Sequence, residues 1–205
     1  MTWHRRLLQA VPLVAAVACG GPTEPTPGPT RSACTGPAKA YGQTVAGWWI
    51  PACSLAQDIY NDPVVALEAP DAAGIGPDNY TGFVSLGFGG YVTIDMGGCI
   101  TDQAGSDIRV FQAASNEPVS LYVSTSPDGP FTLVEPRKPC GERIDRLKGY
   151  CDFDLATAGV RQARYLKIED GELYPCPGDT VTEGADLDAV QALAVAAGLA
   201  EAVPR

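Results

Sequence analysis

The sequence predicts an all-β chain folded as a disulfide-stapled jelly-roll β-sandwich. Three observations predict it. Apolar residues recur with a period of two over short runs, as in Val92, Ile94 and Met96 or Val119, Leu121 and Val123. Glycine and proline are abundant, at 23 and 18 of 205 residues, and they divide the chain into many turns. No stretch of the domain carries a sustained helical stripe.

The amino-terminal segment stands outside the fold. Arg5 and Arg6 precede an apolar run from Leu7 to Ala18, interrupted only by Gln9 and Pro12. About a dozen residues are too few to span a bilayer, which needs ~20, and fit the hydrophobic core of a secretory signal at 1–18. Ala16-Val17-Ala18-Cys19 resembles the lipobox of bacterial lipoproteins. That resemblance implies cleavage before Cys19 and a lipid on its thiol. Residues 19–34 continue as a Pro/Thr/Gly tether (GGPTEPTPGP), too polar to bury a core and extended in character. The expected address is the cell envelope, lipid-anchored, at the outer membrane or cell surface. The sandwich domain is expected over 35–193, and the Ala-rich end over 194–205 as a short helix or frayed tail.

With Cys19 committed to lipid, Cys34, Cys53, Cys99, Cys140, Cys151 and Cys176 form an even set, which in an exported chain reads as three disulfides. Six cysteines allow 15 pairings. The preferred set is Cys34–Cys53, Cys99–Cys176 and Cys140–Cys151. Only the last has a local rationale: it closes the polar insertion GERIDRLKGY, which has little apolar content to hold it. The alternative, a zinc site, lacks any paired CxxC spacing.

Charge and histidine content exclude whole classes of function. Losing Arg5 and Arg6 with the signal takes the net charge from −10 to −12. An acidic chain without a basic cluster argues against nucleic acid and anionic lipid as partners. The only histidine, His4, lies in the signal. Ser-His-Asp and Cys-His catalysis and imidazole metal ligands are therefore excluded from the domain. The expectation is a binding module rather than an enzyme, with no organic cofactor.

Along the domain, Val92 to Met96 is a half-buried strand following Gly87-Phe88-Gly89-Gly90. Ile108 and Val110 mark the next strand, and Val119 to Val123 another. Ser126-Pro127-Asp128-Gly129 is a turn, after which Phe131 and Leu133 begin the return strand of a hairpin. Leu166 and Ile168 define a further strand, and Leu187 to Leu193 the last.

An ordered series of short motifs then carries a resemblance: Asp62-Pro63…Ala66-Leu67-Glu68-Ala69-Pro70-Asp71, Val84-Ser85-Leu86-Gly87-Phe88-Gly89-Gly90, Ile100-Thr101-Asp102…Gly105-Ser106-Asp107-Ile108-Arg109-Val110-Phe111, Ala163-Arg164-Tyr165-Leu166-Lys167-Ile168 and Gly184-Ala185-Asp186-Leu187-Asp188-Ala189-Val190. From about Tyr41 to Leu193 the chain resembles bacterial cell-surface domains of the discoidin-like, or galactose-binding-like, β-sandwich superfamily. It departs from them at Glu68, where glycine is common, at Cys99 and in the Cys140–Cys151 insertion. The resemblance implies a jelly roll and surface display, without naming a ligand.

Two sets of candidate site residues follow. Asp102 and Asp107 flank a turn, and Asp186 and Asp188 stand two apart in a strand, where they would share a face. Sandwiches of the resembled superfamily often hold a structural Ca²⁺, and these four carboxylates are its candidate ligands. The alternative is that Asp107 and Asp186 pair with Arg109 or Arg164. Trp48 and Tyr80 are the candidate ligand-binding aromatics. At least one of the adjacent Trp48 and Trp49 is expected in the core, since neighbours in an extended segment face opposite sides. The expected function is a non-catalytic envelope module binding a glycan or a protein partner. The alternatives are a scaffold lipoprotein without a small ligand and a carboxylate-dependent glycan hydrolase.

Overall fold

A computed structural model describes residues 34–51, 60–74, 80–113, 117–144, 149–171 and 184–193. The signal, Cys19, the tether, Cys53, Cys176 and the Ala-rich end lie outside the described residues. Two five-stranded antiparallel sheets make up the domain. The first has the order β1 (Thr44–Trp49), β5 (Tyr91–Thr101), β11 (Gln162–Asp170), β7 (Pro118–Ser124) and β8 (Thr132–Pro139). The second has the order β4 (Val84–Ser85), β12 (Asp186–Ala192), β6 (Ile108–Gln112), β10 (Gly149–Phe153) and β9 (Glu142–Arg143). β2 (Ala73–Gly74) and β3 (Tyr80–Thr81) pair with each other. Apart from the neighbours β7–β8 and β9–β10, the pairings within the two sheets join residues distant in sequence. This is the jelly-roll sandwich that the alternation predicts.

The period-two residues build the core. Val92 and Ile94 of β5, Val119 and Leu121 of β7, and Leu166 and Ile168 of β11 are fully buried. They belong to one cluster with Ile108 and Val110 of β6, Leu187 and Val190 of β12, and Phe153 of β10. Each such side chain contributes about 1.5–3 kcal/mol on burial. The expected hairpin turn forms between β7 and β8, where the Gly129 N–H donates to the Ser126 carbonyl at 3.2 Å and Gly129 takes φ 79°.

The insertion between Cys140 and Cys151 holds more structure than its polarity suggests. Its end is β10, which joins the sheet beside β6, with Cys151 opposite Val110 and Phe153 opposite Ile108. The Cys140–Cys151 disulfide forms as expected. Closing a loop of this size contributes about 3 kcal/mol.

The other described disulfide corrects the sequence reading. Cys34 bonds to Cys99, so neither Cys34–Cys53 nor Cys99–Cys176 forms. The cause is a backbone zip that local spacing does not reveal. The Cys99 N–H donates to the Gly36 carbonyl at 2.7 Å, Ala38 N–H to the Cys99 carbonyl at 2.9 Å, and Lys39 N–H to the Met96 carbonyl at 2.9 Å. The segment therefore runs along β5 and delivers Cys34 to Cys99. Gly98 permits the approach, because a Cβ there would collide with the Pro37 carbonyl.

Candidate functional site

Beside β1 the sandwich opens into a groove. Among the described residues β1 is an edge strand, paired with β5 alone. Its register slips between Val45 and Gly47, leaving Ala46 as the extra residue of a bulge, which bends and twists an edge. Across from it stands a 3-10 turn, Pro63–Leu67. Asp62 starts that turn: its carboxylate accepts from the Val64 N–H at 3.0 Å, and Pro63 supplies a preset φ at the first position. Pro63 and Ala66 are buried and fix the turn to the domain, while Val64 stays exposed.

Two cavities flank the turn and share Val64 as a wall. One, of about 650 Å³, is lined by Trp48 and Gly47 of β1 and by Asn61, Asp62 and Pro63. The other, of about 750 Å³, is lined by Tyr41, Gln43, Glu68, Asp71 and Thr81 among others. Both volumes fall within the ~300–1,000 Å³ range usual for small-ligand sites. Tyr41 is fixed at the groove by its bridge to Gln191, whose amide donates to the phenol oxygen at 3.3 Å.

Trp48 and Trp49 depart from expectation together. Both are half-exposed, at 51% and 52%, so neither is a core residue. Alternation holds, but the edge position and the bulge leave no second layer over Trp48, whose neighbour across β5 is Val92. Trp49 lies opposite Tyr91 on β5, with ring centroids 6.5 Å apart. Trp48 therefore lines the groove, and Trp49 belongs to a separate aromatic face. Along that face Lys167 sits 5.2 Å from the Tyr91 ring centroid and 4.2 Å from that of Tyr122, and it pairs with Glu169 at 2.8 Å. Leu133 of β8, opposite Tyr122, is also exposed. Tyr80 lies in β3 opposite Gly74, and its side chain is outside what is described.

The four carboxylates proposed from sequence do not gather. Asp102 and Asp107 come together with Asp154, their ligand atoms all within 4.8 Å, while Asp186 and Asp188 are not part of that group. Asp107 is fully buried and cross-links two loops. It accepts from the Gln103 N–H and from the Leu155 N–H, each at 2.9 Å. Asp154 caps the 3-10 turn Leu155–Ala158 by accepting from the Ala156 N–H at 2.8 Å. Oδ1 of Asp102 is buried and accepts no hydrogen bond among the described residues. That atom is the one feature of the cluster that fits a hard cation, which would supply the partner it lacks.

Asp186 and Asp188 have separate environments. The register of β12 slips between Leu187 and Ala189, so a bulge at Asp188 breaks the alternation on which a shared face was expected. Asp188 is fully buried and accepts from the Asp71 and Ala72 N–H groups at 3.0 and 3.1 Å, holding the loop behind the second cavity. Asp186 lies opposite Ser85, and its burial pushes the carboxyl up to about 6 against a hydrogen bond from Ser85. The arginine pairings also differ from those weighed in sequence. Arg109 forms a two-point pair with Asp152 and Arg164 one with Asp95, all at 2.7–2.8 Å. Burial opposes ionisation of Asp95, but the Arg164 fork and the Gly97 amide outweigh it and hold the carboxyl below its usual range.

Sequence reasoning missed Asn61, Glu68 and Asp71 as groove residues. The Asp62-Pro63 pair was the available signal, since it marks a turn start next to an exposed segment. No family profile matches the sequence, and no curated protein is similar to it. Among solved structures, the chain is similar to the CBM32 of AlyQ in complex with 4,5-unsaturated mannuronic acid. The TM-score is 0.35 at 17% identity, over 53% of this chain and 74% of that one.

Proposed function

We propose that this protein is a non-catalytic, lipid-anchored envelope module that binds a glycan in the groove beside β1. The observation that carries the reading is the half-exposed Trp48 ring in a cavity whose wall also carries the polar side chains of Asn61 and Asp62. A sugar ring presents an apolar C–H face and a rim of hydroxyls. Trp48 matches the first by stacking, and Asn61, Asp62, Gln43 and Thr81 match the second by hydrogen bonding. The absence of histidine beyond His4 supports binding without catalysis.

The anchor is Cys19, and its proposed role rests on the lipobox-like Ala16-Val17-Ala18-Cys19 and the tether after it. Labelling cells with radioactive palmitate tests it: Cys19→Ser should abolish incorporation, and equal labelling of variant and wild type contradicts an anchor. For the ligand, the full chain should give reproducible signal on a glycan array, competed by the same soluble oligosaccharide. A blank array supports the second reading, a scaffold that packs on envelope proteins. The observation favouring that reading is a face of the first sheet on which Trp49 and Leu133 are exposed and Tyr91 and Tyr122 are half-buried.

A further inference from the structure

The groove is acidic, and the segment of chain that builds it contains no cationic side chain. From Ala40 to Ile108 the sequence has no Lys, Arg or His, while it carries eight Asp and Glu residues. Both walls of the groove, β1 and the turn Pro63–Leu67, come from this segment. Asp62 lines the first cavity, and Glu68 and Asp71 line the second; all three are exposed. Lys39, whose stem lies beside Gln43 near Gly97, is not among the residues lining either cavity. The arginines that flank the segment's strands are committed elsewhere, Arg109 to Asp152 and Arg164 to Asp95.

That arrangement decides the charge of the ligand. A sugar acid would enter a field of like sign, with no guanidinium or ammonium among the described lining residues to meet its carboxylate. Ammonium groups spaced along a chain meet Asp62 and the face of Trp48, which attracts cations through its ring quadrupole, in the first cavity, and Glu68 and Asp71 in the second. Building on the glycan reading above, we infer that the groove is selective for an amine-bearing sugar chain, such as oligomers of a deacetylated amino sugar, and rejects uronates. Trp48 supplies the stacking face, and Asp62, Glu68 and Asp71 supply the charge.

The test compares oligomers sharing one backbone. The full chain is titrated by calorimetry with oligoglucosamine, oligo-N-acetylglucosamine, an oligouronate and oligolysine. Two or three exposed ion pairs predict that the free-amine sugar binds about three- to thirtyfold more tightly than its acetylated form. The preference should shrink below about twofold in 1 M salt, where the screening length is about 3 Å. The exposed-site substitutions Glu68→Gln and Asp71→Asn should together reduce the ratio of the free-amine to the acetylated affinity. Equal affinity for the free and acetylated sugars, or tighter uronate binding, with Trp48→Ala abolishing either, overturns the charge selectivity and leaves the glycan reading intact. Oligolysine binding as tightly as oligoglucosamine overturns the sugar part of the inference. No binding of any sugar overturns the glycan reading itself.

Discussion

Buried carboxylates in this domain hold backbone rather than substrate. Asp107, Asp170 and Asp188 are each buried, and each accepts from main-chain amides of segments distant in sequence. Asp170, for example, takes the Gly89 N–H at 3.1 Å and the Ala185 N–H at 2.9 Å, tying the Gly87–Gly90 turn to the start of β12. Hydrogen bonds to a charged acceptor contribute about 1.5–3 kcal/mol each, and their loss would leave buried amides unpaired. Asp186 is the exception, because burial raises its carboxyl to about 6. A raised carboxyl stabilises the fold fully below the unfolded-state value near 3.9, and that contribution is lost as pH climbs through about 6. Asp186→Asn should therefore be more stable than wild type at pH 7.5 by about 1–3 kcal/mol, with the gap closing by pH 4. Urea denaturation at the two pH values measures it. A gap that is constant with pH would mean that Asp186 does not titrate in this window. At this scale the sequence showed which carboxylates stand out. It could not show their partners, because each partner is a loop amide placed by the tertiary fold.

Elements were legible where both flanks are paired. β5, β6, β7, β11 and β12 follow from alternation alone, since a strand inside a sheet must send every second residue to the core. The misses are the bulged edge strand β1 and the short strand β10, which lies between β6 and β9 but carries few apolar residues. β1 exposes both tryptophans because its bulge at Ala46 sits on an open edge, and β10 hides behind a cysteine and a glycine that read weakly as core. The Cys34–Cys99 bond was illegible for a related reason, since it depends on residues 36–39 aligning with β5 across a separation of 65 residues. The turn Ile100–Asp107 and the 3-10 turn Leu155–Ala158 meet at Asp107, and there the Asp102–Asp107–Asp154 cluster gives a metal prediction. Millimolar Ca²⁺ should raise the melting temperature over an EGTA control, and Asp102→Asn should remove most of that rise. An unchanged midpoint would mean that the cluster is stabilised by its amide contacts alone.

Across the whole molecule, chemistry is divided between regions. The first sheet exposes an aromatic face with Lys167 at its centre, while the edge beside β1 carries a groove lined by acids and one tryptophan. The jelly roll itself leaves the ligand open, because the fold fixes where loops and edges stand and not what they bear. In the proposed reading the groove-lining residues take the ligand, with Trp48 as the stacking face. Calorimetry with Trp48→Ala and Trp49→Ala, against the oligosaccharide that the wild-type chain binds, tests this most directly. Both side chains are half-exposed, so neither truncation should disturb folding. Trp48→Ala should weaken binding by about tenfold or more, and Trp49→Ala should leave it within about twofold. Equal affinity in Trp48→Ala and wild type, or loss only in Trp49→Ala, would contradict the groove as the binding site.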